Sequence, residues 1–76
     1  MDAIIPHIKA AISECEKRET AIVAEMMNIM PQLEKAHYIN GNMVHMIERQ
    51  YNEKIENVRA EIIGMEAHVK ELEPND

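Results

Sequence analysis

The side chains here whose types and spacing could do chemistry are glutamates and histidines three residues apart. Glu34-Lys35-Ala36-His37 has the Glu-x-x-His spacing that puts both groups on one helical face, and His45-Met46-Ile47-Glu48 is its mirror image. On two antiparallel helices His37 would stand across from His45 and Glu34 across from Glu48. That is the kind of ligand set a carboxylate-bridged metal site uses. Such sites draw on four helices, however, and these residues flank the apolar positions instead of lying among them. Glu and His three apart also arise easily in a chain with 14 acids. No metal or other cofactor is expected, and a metal-binding helical bundle is kept as the alternative.

Nucleophilic and acid–base chemistry have less to stand on. There is no Gly-rich phosphate loop and no Ser/His/Asp arrangement, so no enzyme is expected. Cys15 reads as a small buried hydrophobe. It is nearly level with His68 in an antiparallel pairing. Glu19 interrupts an apolar series, where an isolated polar residue selects register or oligomer state, or reaches Arg59 or Arg18.

The elements that carry these residues are set by hydrophobic spacing. Ile5, Ile8, Ile12, Cys15, Glu19, Ile22, Met26, Ile29, Leu33 and Ala36 alternate in steps of three and four, with Glu19 the polar member. A second series follows: Val44, Ile47, Tyr51, Ile55, Val58, Ile62, Met65, Val69 and Leu72. Its one extra four-residue step, at Ile47–Tyr51–Ile55, is a stutter. Two such seams predict two long amphipathic helices. The fold class is all-α: an antiparallel two-helix hairpin forming a single domain over 1–76, with helix one about 3–39, a turn at 40–42 and helix two about 43–73.

Local signals refine this. Gly41 is expected to end helix one in the left-handed conformation, with Asn42 as the N-cap of helix two and Asp2 as that of helix one. Lys35 and His37 suit a helix C-terminus, and Pro74 ends helix two. Pro31 is expected to kink helix one; the alternative is a short third helix capped near Asn28. Gly64, with Ala60 and Ala67, forms either a stripe for close helix approach or part of a solvated face. Tyr38 and Ile39 are exposed contact residues or a cover over the bundle end.

Composition narrows the function classes. The chain has 76 residues with no Phe or Trp, which disfavours a β-rich domain, and a hydrophobic fraction of 46% that disfavours disorder. One cysteine allows no internal disulfide and suits a reducing, cytoplasmic compartment. No secretory leader or membrane-spanning run is read. The net charge is −6, and the basic residues are scattered, so no nucleic acid is expected as a partner.

The apolar surface widens toward the turn. Val23, Met27 and Met30 lie beside the seam residues Ile22, Met26 and Ile29, while Met43 and Met46 flank Val44 and Ile47. Five of seven methionines thus gather near the closed end. A chain this small buries too little by itself, so dimerisation into a four-helix bundle is expected. Val23, Met26, Met27, Met30, Met43 and Met46 are the candidate dimer or partner surface, because Met adapts to varied apolar partners. The reading is a non-enzymatic interaction module: an acidic dimeric hairpin acting as regulator, inhibitor or chaperone-like adaptor of another protein. A purely structural oligomer is the further alternative.

Overall fold

Steps of three and four residues bring side chains back to one face of a helix, and both apolar series do so here. In a computed structural model, which describes residues 3–36 and 40–73, α1 spans Ile4–Lys35 and α2 spans Gly41–Leu72. No strand occurs among the described residues. The helices pack lengthwise, and the cross-pairs Lys9–Glu73, Glu19–Arg59 and Glu25–Tyr51 run in opposite order, so the pair is an antiparallel hairpin. It measures 59 × 16 × 16 Å.

The core is the contact between the two seams. Tyr51, Ile55, Val58, Ile62 and Val69 of α2 are buried, as is Cys15 of α1. Cys15, Val58 and Ile62 form its centre, with Ile12, Ile22 and Met65 packed around them. The other seam residues of α1, Ile5 through Ala36, are half-buried. Tyr51 and Ile55 are both buried, so the stutter is absorbed without sending either side chain to solvent. Leu72, last in its series, is exposed.

The start of α2 corrects the sequence reading. Asn40, not Asn42, is the N-cap: it is extended at φ −83° and ψ 165°, and its Oδ1 accepts a hydrogen bond from the Met43 amide at 2.9 Å. Gly41 is the first residue of α2, and among the described residues no glycine has positive φ. The reason is that α1 stops early, at Lys35, with Ala36 already extended. The Asn-Gly pair therefore serves the beginning of one helix and not the end of the other. The expected turn residues Asn40 to Asn42 mark this junction, while His37, Tyr38 and Ile39 lie outside the described residues. Loss of a side-chain N-cap costs about 1 kcal/mol. Asn40→Ala is accordingly expected to lower the free energy of unfolding by about that amount, read from the urea midpoint at unchanged slope, with the native helical signal unchanged.

At the other end Ala3 holds the N-cap position without a side-chain hydrogen bond, and Asp2 lies outside the described residues, as does Pro74. Lys35 is in the last turn of α1, where it complements the dipole. Pro31 sits inside an unbroken α1, so the alternative of a third helix beginning at Asn28 is not what forms. The Asn28 carbonyl instead accepts a hydrogen bond from Gln32 Nε2 at 3.1 Å, within the helix. Ala60, Gly64 and Ala67 are all exposed, and a Cβ added at Gly64 would meet nothing within 4 Å. Within one hairpin this stripe is a solvated face.

Candidate functional site

Three polar links tie the seams together, all at positions where a long side chain leaves the seam edge. Glu19, the polar interruption, accepts a hydrogen bond from Arg59 Nε at 3.0 Å, and its side chain keeps only about a quarter of its exposure. Of the two expected partners the fold selects Arg59, because Arg18 lies on the other flank beside Glu61 at 3.7 Å. The Tyr51 hydroxyl donates to Glu25 Oε1 at 2.9 Å, and Lys54 lies over the Tyr51 ring. The Cys15 thiol donates to Glu61 Oε2 at 3.6 Å. Glu25 and Glu61 did not stand out in the sequence. Their signal was position alone, one step outside the seam, where helix pairs place cross-helix charges.

These contacts hold two protons. Burial, then the hydrogen bond to Glu61, pushes the Cys15 thiol above its ordinary 9.0. The hydrogen bond to Glu25, then burial, pushes the Tyr51 hydroxyl above its ordinary 10.0. Both groups bind their protons more tightly folded than unfolded. The stability they contribute is complete below the ordinary values and is lost as pH rises through them toward the folded ones. A urea midpoint that declines above about pH 9 is expected. The decline should be shallower in Cys15→Ser combined with Tyr51→Phe; an identical slope in that variant would remove these groups as the cause.

The hairpin has two long flanks, and the candidate residues divide between them. Ala11, Glu14 and Arg18 of α1 meet Glu61, Gly64 and His68 of α2 along one flank, where they border an open groove of ≈ 690 Å³ floored by Ile8, Cys15 and Met65. Lys9 meets Glu66, Lys70 and Glu73 along the other. Continuing the three-and-four steps from Gly64 back through Glu61, Asn57, Lys54 and Gln50 reaches Met46 and Met43, so these two share the groove's flank. Continuing from Lys9 through Ser13, Glu16 and Thr20 reaches Val23, Met27 and Met30, on the opposite flank. Met26 is half-buried in the seam between them.

The structure thus keeps the six candidates near the closed end but does not join them into one patch. Met27 is 72% exposed, Met46 60% and Met43 46%, while Val23 and Met30 are half-buried. Met27, Met30, Met43 and Met46 lie one step from their seams, and Met26 lies within its own. Which flank each seam edge faces depends on how the helices dock.

No protein-family model, curated protein or solved structure matches this chain.

Of the residues of the metal reading, the described ones do not form a cluster. Glu34 is exposed, His37 lies outside the described residues, and His45 Nδ1 lies 4.0 Å from Glu48 Oε1 as a pair within one helix. Among the described residues no three His, Cys, Asp or Glu side chains converge. Cys15 and His68 border the same groove, but the thiol proton goes to Glu61 while His68 Nδ1 lies near Glu71 at 3.9 Å. Among the described residues, no helix is long and apolar enough to cross a membrane.

Proposed function

We propose that this chain is a non-enzymatic protein–protein interaction module. It is an acidic hairpin that pairs with a second copy as a four-helix bundle and serves in the cytoplasm as a small regulator, inhibitor or chaperone-like adaptor of a partner protein. The observation that carries this reading is the exposure of Met27, Met43 and Met46 beside a seam already filled by the hairpin's own residues. Large apolar side chains that the fold does not use to hold itself together suit an intermolecular contact. Methionine suits it further, because its unbranched, polarizable side chain conforms to different surfaces. In this reading α1 bends at Pro31, where the Met27 carbonyl loses its amide partner, and the bend opens the methionine-rich end to what docks there.

The charge of −6 favours a partner with a basic surface and speeds encounter with it. The same charge repels nucleic acid.

Light scattering across a wide concentration range tests the first half of this reading. A dimer mass is expected for the native chain, and Met27→Glu combined with Met43→Glu is expected to shift it toward monomer while leaving the helical signal intact. A native chain that stays monomeric at every concentration would end the bundle reading. A double variant that dimerises normally would end the assignment of Met43 to the contact between copies.

A further inference from the structure

The hairpin exposes 6146 Å², whereas a compact folded chain of its 8.8 kDa mass exposes about 4,800 Å². The excess of about 1,350 Å² is more than the ~800 Å² that one partner contributes to a standard interface. A second copy would supply that cover, and a two-fold interface requires a flank complementary to itself. The two flanks meet that requirement unequally, the groove flank with the larger recess, ≈ 690 Å³ against ≈ 270 Å³. On the groove flank Met43 and Met46 protrude from α2 at the closed end, and Ile8, Cys15 and Met65 are recessed at the open end between Glu14, Arg18, Glu61 and His68. The opposite flank has a smaller recess at its open end, ≈ 270 Å³, with Ile12 and Val69 at its base and Lys9, Glu66, Lys70 and Glu73 around it.

We infer that two copies join through the groove flank in an antiparallel two-fold arrangement, with Met43 and Met46 of each copy seated at the Gly64 notch of the other. This rests on the self-association proposed above and adds its surface, its orientation and the division of labour between the flanks.

Three observations converge on it. First, a side chain at Gly64 would meet nothing in its own hairpin, so the hairpin itself gains nothing from the glycine, which costs about 1 kcal/mol against alanine in a helix. A methionine arriving from another copy does gain from the missing Cβ. Second, the carboxylates beside the groove and along its continuation are already partnered within one chain: Glu61 by Arg18 and the Cys15 thiol, Glu14 by Lys17, and Glu25 by the Tyr51 hydroxyl. Two chains of net charge −6 therefore meet here without bringing unpaired carboxylates together. Third, the orientation follows from what each end faces. A parallel two-fold would set Met43 and Met46 over the polar Asn28 and Gln32 of the other α1, whereas the antiparallel one sets them over the groove. The Val23, Met27 and Met30 flank is then left for the foreign partner.

The test is site-directed crosslinking in a Cys15→Ser background with a short bis-maleimide of about 8–10 Å reach. Positions 46 and 64 are separated by about 27 Å along one helix, at 1.5 Å per residue, so no link can form within a chain. Met46→Cys combined with Gly64→Cys is expected to give covalent dimer in high yield, and each single cysteine variant only background. Covalent dimer from Met46→Cys alone would overturn the antiparallel orientation. A dimer by light scattering in which none of these variants links would overturn the surface, and leave self-association standing. A chain that is monomeric throughout would overturn both together. As a second readout, Gly64→Glu is expected to raise the dimer Kd at least tenfold, while Ala67→Glu, on the outer face, and Met27→Glu, on the other flank, change it less than twofold. Circular dichroism confirms that each variant remains helical. Equal weakening by all three would mean that added negative charge, and not the notch, governs assembly.

Discussion

Val58→Asp is expected to unfold the hairpin at room temperature and neutral pH. Val58 is 6% exposed and packs at the centre of the core with Cys15 and Ile62. Around it lie Ile12, Ile22 and Met65, none of which can donate a hydrogen bond from its side chain. A carboxylate placed there loses its water and gains no partner, at a cost of several kcal/mol. Removing the valine methyls forfeits their burial as well. A domain with at most about 5–15 kcal/mol of stability, and a single seam to supply it, has no reserve for a loss of that size. The far-UV helical signal should therefore collapse without denaturant. The neighbouring exposed substitution Asn57→Asp adds the same charge one residue away and should change the free energy of unfolding by less than about 0.5 kcal/mol. Cooperative unfolding of Val58→Asp with a near-native midpoint would show that the seam contact is not what holds the helices together.

Pro31→Ala should move stability in the opposite direction by a comparable amount. Pro31 lies exposed inside α1, far from the first turn, where a missing amide would cost nothing. It has no amide to offer the Met27 carbonyl, and its ring crowds that carbonyl. Alanine restores the bond and the favourable backbone, which is worth about 3 kcal/mol in a helix interior. A rise of that order in the free energy of unfolding is expected, read from the urea midpoint at unchanged slope. Pro6 serves as the control. It stands in the first turn of α1, where an amide would have no helical partner, so Pro6→Ala should change little. If Pro31→Ala gains nothing, the backbone around Met27 is already relaxed and the proposed bend has no energetic basis. If it gains stability but loses binding to a partner, the bend belongs to the function.

Much of the fold could be read from the residues in order. Each member of the α1 seam from Ile5 to Ala36 is buried or half-buried, and in α2 only Leu72, the last residue of the helix, is exposed. Periodicity suffices for this because a helix repeats its face every 3.6 residues whatever it docks against. Asn40-Gly41-Asn42 was harder, since the same residues can stop one helix or start the next, and the choice depends on where α1 gives out. The polar links were partly legible. Glu19 announced itself as a break in an apolar series, whereas Glu25 and Glu61 are two carboxylates among many until Tyr51 and Cys15 are brought against them.

What the sequence by itself determined is the inventory of faces: two seams, a polar interruption at Glu19, and apolar residues at the edges of both seams near the turn. Those follow from local geometry, since the angle between residues on one helix is independent of everything else in the molecule. Only the tertiary structure decided which edges lie together. Once the helices dock antiparallel, the Val23, Met27 and Met30 edge faces one way and the Met43 and Met46 edge faces the other, beside the groove at Gly64. A cluster of methionines in sequence is thereby two surfaces in space, because each helix turns its own edges outward on both sides of a shared seam.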